Sequence, residues 1–273
     1  MSENGHEAFA MAASLGGPLF LERSVKIVQG KLSNDRFLLI FPKYILAQSS
    51  KDRLKQICID LGAPLENLTK LLTLLPLANG IALGYEPEGN NIRFKCYLEF
   101  LPHRAPKKNL TFIALKWVSG DTKAPSVFTR YWSHTGRSHA KKQASIISIL
   151  PKCSERDALF NSCNLAVKKG FSPFLLEIEE AGNPRHSIDI KTAGLGYKIK
   201  DLKGNFCPSF LSFLKTHGED ELCHVAAGIG RNGQPFMTIY YDSISIILII
   251  NHINHPQYKL LITHWVGECS QNL

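Results

Sequence analysis

At 273 residues, with 44% hydrophobic and 20% charged side chains, the chain is long enough to bury a substantial core, and this composition excludes global disorder. Seven scattered cysteines without a CxxC pair argue against a disulfide framework or zinc knuckle and fit a reducing cytoplasm. The opening residues, with Glu3 and Glu7 and no basic then apolar run, do not read as a secretory signal, and the most apolar stretch, residues 244–250, is too short to span a bilayer. A formal charge of +9 suits a polyanionic partner, whether nucleic acid, a membrane surface or a phosphate-bearing small molecule, although no run of five or six basic residues forms a binding tail.

Residues 1–17 are small and polar and read as a loose leader, which leaves 18–273 as one domain. Residues 20–41 read as a hairpin turning over Gly30. Period-two alternation puts Phe20, Glu22, Ser24 and Lys26 on one face of its first strand, and Arg36 with Leu38 and Ile40 on one face of its second. Helical spacing of Leu54, Ile57, Cys58 and Leu61 predicts a helix, with a shorter one near 65–74. A second hairpin pairs 77–83 with 92–100 across a turn rich in Glu, Pro, Gly and Asn. Its return strand sets Arg93, Lys95 and Tyr97 opposite Ile92, Phe94, Cys96 and Leu98. A strand pair over 110–118 and 127–132 precedes helical spacing that runs to about residue 169 with a break at Pro151. The third hairpin is 174–178 with 187–192, where Asp189 and Lys191 alternate with Ile188 and Ile190. The fourth is 223–229 with 236–241, and an apolar segment and a strand near 258–266 follow.

Hairpins alternating with helices predict an antiparallel sheet covered on one side. If that sheet closes into a barrel, its other face becomes a lumen, and polar residues there imply a ligand. Arg36, Arg93, Lys95 and Lys191 are then either solvated faces of separate hairpins or donors converging on one diphosphate. The GxGxxG of residues 228–233 leads into a strand, whereas a dinucleotide fingerprint requires a helix there, so it reads as a turn. His252 and His255 lack neighbouring ligands at metal-site spacing, and no metal ligand is assigned.

The opening LERSVKI, followed ten residues after its lysine by RFLLIF, resembles the first hairpin of the cyanobactin-type peptide prenyltransferases. Further likenesses follow in order: residues 78–83 with 92–100, 187–192, Ala227-Gly-Ile with the strand after Pro235, and Trp265-Val-Gly267. The resemblance implies an α+β ABBA (αββα) barrel and transfer of an isoprenyl group from an allylic diphosphate to a ribosomally made, often macrocyclic peptide. It further implies magnesium as a cofactor and Glu22 as the proton acceptor. Arg36, Arg93, Lys95 and Lys191 would hold the diphosphate, and Tyr97, Tyr240 and Trp265 would shield the allyl cation. Small residues at Ala226, with Ala227 beside it, imply a pocket for geranyl rather than dimethylallyl diphosphate. Asp189 is the inward acid that a guanidinium acceptor would need.

Members of that family continue past the Trp-Val-Gly segment, so the barrel is expected either to be left unsealed there or to have the closing strand supplied otherwise. The counterpart in function of an unsealed barrel is a catalytically weak one that binds a prenyl or phosphate ligand without transfer. The partners expected are a cyclic or linear peptide and an isoprenyl diphosphate, with no nucleic acid and no membrane span, for a cytoplasmic monomer or weak homodimer. A nucleic-acid-binding protein is motivated by charge alone and would call for exposed aromatic residues beside the basic ones.

Overall fold

The computed structural model describes residues 2–15, 17–43, 50–120, 126–248 and 262–264. Ten strands run antiparallel in chain order: β1 (Gly17–Val28), β2 (Lys31–Pro42), β3 (Gly80–Glu88), β4 (Asn91–Glu99), β5 (Leu110–Val118), β6 (Val127–Ser133), β7 (Phe174–Glu180), β8 (His186–Lys191), β9 (Leu222–Ile229) and β10 (Pro235–Leu248). A short β11 (Ile262–His264) pairs with the far end of β10. The first turn, Gln29-Gly30, has both residues at positive φ, the combination whose twist suits a two-residue hairpin, and Gly30 takes that conformation without strain.

The barrel is closed. β1 pairs with β10 from Gly17↔Leu248 to Val28↔Phe236, so of the two expectations, an unsealed wall or a strand supplied otherwise, the second holds: the first strand completes the ring. Closure removes the sheet edges and separates an outer apolar layer from a lumen.

Among the described residues six α-helices cover the outside. Leu19, Leu39, Phe41, Ile81, Leu98 and Trp117 pack with buried residues of α1 (Glu3–Ala13), α2 (Ser50–Asp60) and α3 (Leu65–Leu72). Val25, Ile188, Ile190, Val225, Met237 and Ile239 pack under α4 (His139–Ile149), α5 (Ser154–Lys168) and α6 (Pro208–His217). Each such side chain contributes roughly 1.5–3 kcal/mol of burial relative to exposure. The segment expected as a loose leader is therefore corrected: most of it is α1, capped by Ser2, whose Oγ accepts from the Gly5 amide at 3.2 Å. Its small Ala8, Ala12 and Ala13 let the helix lie close to the barrel, and Phe9 meets Phe37 edge-on at 6.0 Å.

The hairpins fall where the sequence predicts them, but β3 and β7 run further than the turn-like composition of their ends suggests, to Glu88 and Glu180. The GxGxxG segment is a hairpin turn, with the Gly230 amide donating to the Gln234 carbonyl at 2.8 Å and Gly233 at φ +74.

Candidate active site

On several strands outer-layer residues alternate with polar ones that face the lumen, while on β7 Leu176 and Ile178 share the face of Glu180 and form an apolar cluster with Ala114 and Tyr131. Register joins Glu22 to Leu38, Ser24 to Arg36 and Tyr240, Gly84 to Lys95, Lys95 to Lys116, and Asp189 to Ala226. Three irregularities in the ladders lie close together: between Leu21 and Arg23 on β1, between Ser24 and Lys26 facing β2, and between Tyr240 and Tyr241 on β10. Such bulges re-aim the side chains beside them, here Glu22, Arg36, His224 and Tyr240.

Glu86, on the extension of β3, gathers three cations. Its Oε2 accepts from Lys95 at 2.5 Å and lies 3.3 Å from Arg36 Nη2, while its Oε1 accepts from Lys26 at 2.9 Å. Burial opposes its ionisation, but the charges of Arg36, Lys95 and Lys26 prevail and hold it well below the usual carboxylate range. The cations are crowded in turn. Burial, with Arg36 and Lys26 adding and Glu86 opposing, pulls Lys95 down to about 7. Arg36 is buried, and its Nε and Nη1 have no hydrogen-bond partner among the described residues.

Glu180, on the extension of β7, gathers three more. Its Oε1 accepts from Lys116 at 2.9 Å and Arg185 at 2.6 Å, and its Oε2 from Arg231 Nε at 2.7 Å. Arg231 Nη2 and Ser187 Oγ are buried without hydrogen-bond partners among the described residues. The Phe236 ring lies 5.6 Å from Lys26 Nζ and 5.2 Å from the Arg185 guanidinium carbon, so it bridges the two clusters. Lys26, Glu86, Arg185, Arg231 and Phe236 help to line a cavity of about 370 Å³ at the hairpin-turn end of the barrel. Glu86 and Glu180 together are paired with six basic groups here, a formal excess of positive charge suited to a polyanion.

Further along the lumen lies a second constellation. His224 Nε2 is 3.0 Å from Glu22 Oε1, and its Nδ1 is 2.8 Å from both oxygens of Asp189. Burial alone would lower the imidazole pKa, but Asp189 and Glu22 raise it to about 10, so His224 is an imidazolium at neutral pH. Its ring stacks on Tyr240 with centroids 3.8 Å apart and planes 5° apart. Burial pushes the Tyr240 phenol up, and register sets Tyr240 opposite Ser24, whose partner on β2 is Arg36.

The structure brings Arg36 and Lys95 together but not all four expected diphosphate ligands. Arg93 binds Glu88, and Lys191 sits 5.8 Å from the Phe112 ring and 5.5 Å from the Phe174 ring. Six residues of strand, roughly 20 Å, separate Lys191 from Arg185. Tyr97 faces the lumen, its hydroxyl 3.5 Å from that of Tyr131. Burial pushes both phenols up, keeping them neutral. Ala226 faces the lumen, whereas Ala227 packs outward with Met237 and Ile188 and adds no room inside, which corrects its pairing with Ala226. Trp265, His252 and His255 lie outside the described residues.

Among the described residues no three His, Cys, Asp or Glu side chains gather as a metal site. The oxygens of Glu86 and Glu180 are engaged by Lys and Arg, so these two carboxylates are not free to hold magnesium.

A closed antiparallel barrel of ten strands, helices on its outside and a charged lumen, is the ABBA fold. Among solved structures the chain is similar to 5-dimethylallyltryptophan synthase from Streptomyces coelicolor, 14% identical, with 89% of this chain and 92% of that one covered and a TM-score of 0.55. It also matches a 6-dimethylallyl tryptophan synthase, 13% identical over 81% of this chain and 80% of that one, with a TM-score of 0.48. At such identities the likeness is one of fold. No family model matches the sequence, and no curated protein does.

Proposed function

We propose that this barrel is a prenyltransferase that moves an isoprenyl group, geranyl in preference to dimethylallyl, from its diphosphate to a side chain of a ribosomally made peptide. The observation that carries the reading is Arg36: a buried guanidinium with two donors unpartnered among the described residues, beside Lys26 and Lys95, on the strand next to Glu22. The two donors match a diphosphate, which leaves with the electrons of the breaking C1–O bond. The acceptor's electrons form the new bond to C1, and its proton passes to Glu22. Neutral Tyr97 and Tyr131 offer aromatic faces to the allyl cation in between. Lys and Arg meet the charge of the leaving group, so no step in this proposal needs a protein-bound metal.

A barrel that binds the ligand without transfer is favoured by one observation, the engagement of Glu22 by His224. Mass spectrometry of cyclic peptides bearing Tyr, Trp, His or Arg, incubated with geranyl or dimethylallyl diphosphate, separates the two. Transfer predicts a gain of one geranyl unit that is lost in Glu22→Gln and retained in EDTA. Binding of the diphosphate with no adduct on any peptide would establish the second reading.

A further inference from the structure

His224 holds the position and partners of a guanidinium site. It is planar, flanked by two carboxylates at hydrogen-bond distance and stacked on an aromatic ring, the surroundings in which arginine side chains are recognised. Both oxygens of Asp189 and one oxygen of Glu22 face it at hydrogen-bond distance. The four residues come from β1, β8, β9 and β10, so the seat is built by the barrel wall itself.

We infer that His224 is a built-in cation that fills the seat of a guanidinium between Glu22 and Asp189. It thereby sets which acceptors the lumen takes, and its removal converts the two carboxylates into a receptor for a planar cationic ligand. The role in acceptor choice rests on the prenyl-transfer reading; the seat does not. With His224 in place both carboxylates already face one planar cation, so a second is repelled by it and a neutral N–H or O–H donor is favoured. Without His224, two facing carboxylates and the Tyr240 ring are left uncompensated in a buried site, and an imidazolium or alkylguanidinium restores what was lost.

The test is binding, so it stands whether or not the wild type transfers prenyl groups. Imidazole and methylguanidinium are titrated at neutral pH into wild type, His224→Gly and His224→Gly/Asp189→Asn, followed by calorimetry and thermal unfolding. The expected result is saturable binding to His224→Gly, at least roughly tenfold tighter than to the other two proteins, with a matching rise in Tm. Equal responses in all three proteins would overturn the inference. If His224→Gly does not fold even with imidazole present, the 15N shifts of the wild-type imidazole decide. Both ring nitrogens protonated at pH 7, facing Glu22, Asp189 and the Tyr240 phenol, support a built-in cation; a neutral single tautomer refutes it. Should transfer be established, His224→Gly gains arginine-bearing peptides as acceptors, and failure of that gain with the binding intact would sink the acceptor role alone.

Discussion

At the scale of single residues the lumen is governed by an imbalance of buried charge. Glu86 carries three cations and Glu180 another three, so each acid matters more than any one base. Removing one partner of a buried ion pair costs about 3–5 kcal/mol because it leaves an uncompensated charge. Glu86→Gln is therefore expected to lower stability by about that amount, and pyrophosphate to raise its Tm more than that of wild type, since the ligand supplies the missing negative charge. Thermal unfolding with and without pyrophosphate measures this; equal shifts in both proteins would contradict the assignment of this end to a polyanion. Lys95 gives an independent sign. It sits near 7 in the folded protein, and a bound diphosphate raises it, so binding above pH 7 takes up a proton and affinity falls as pH rises. Calorimetry in buffers of different ionisation enthalpy reads that uptake directly.

At the scale of elements, what the sequence made legible was periodicity, and what it concealed was length. Two-residue alternation put Glu22, Arg36, Lys95 and Asp189 on the lumen face because inward and outward environments differ sharply in a barrel wall. Glu86 and Glu180 were missed because Pro87, Gly89 and the Ala181-Gly pair look like turns, whereas their strands continue to the rim on the strength of cross-strand pairing. Arg185 was lost with the same turn. His224 was within reach: it lies two residues before Ala226, on the same face. Its partners Glu22 and Asp189 are 202 and 35 residues away, and pairing at that range is set by register. The register also separates Ala226 from Ala227. Ala226→Phe is expected to shift donor use toward the five-carbon diphosphate, while Ala227→Phe, facing the outer layer, lowers stability by about 1–3 kcal/mol and leaves the donor ratio unchanged. Competition between the two donors, scored by mass spectrometry beside urea unfolding, distinguishes a lumen effect from a packing one.

At the scale of the whole molecule the buried charges set opposing slopes of stability against pH. His224 titrates near 10 when folded, against 6.5 as its ordinary value, so its contribution is complete below about 6.5 and is lost as pH rises through 10. Lys95 does the reverse. Held near 7 against an ordinary 10.5, it penalises the folded state below 7, and that penalty is relieved as pH climbs toward 10.5; burial also lowers Lys26 and Lys116, which lean the same way. Between 7 and 10 the two tendencies oppose each other, and wild-type stability should vary less than either alone dictates. His224→Gln deletes the falling contribution and keeps the rising one. Its stability is therefore expected to be lower than wild type at pH 6.5 and to gain on it steadily up to pH 10, as urea unfolding across that range would show. Parallel curves for the two proteins would mean that His224 is neutral in the folded barrel, and Glu22 and Asp189 would then face the lumen without a counter-ion between them.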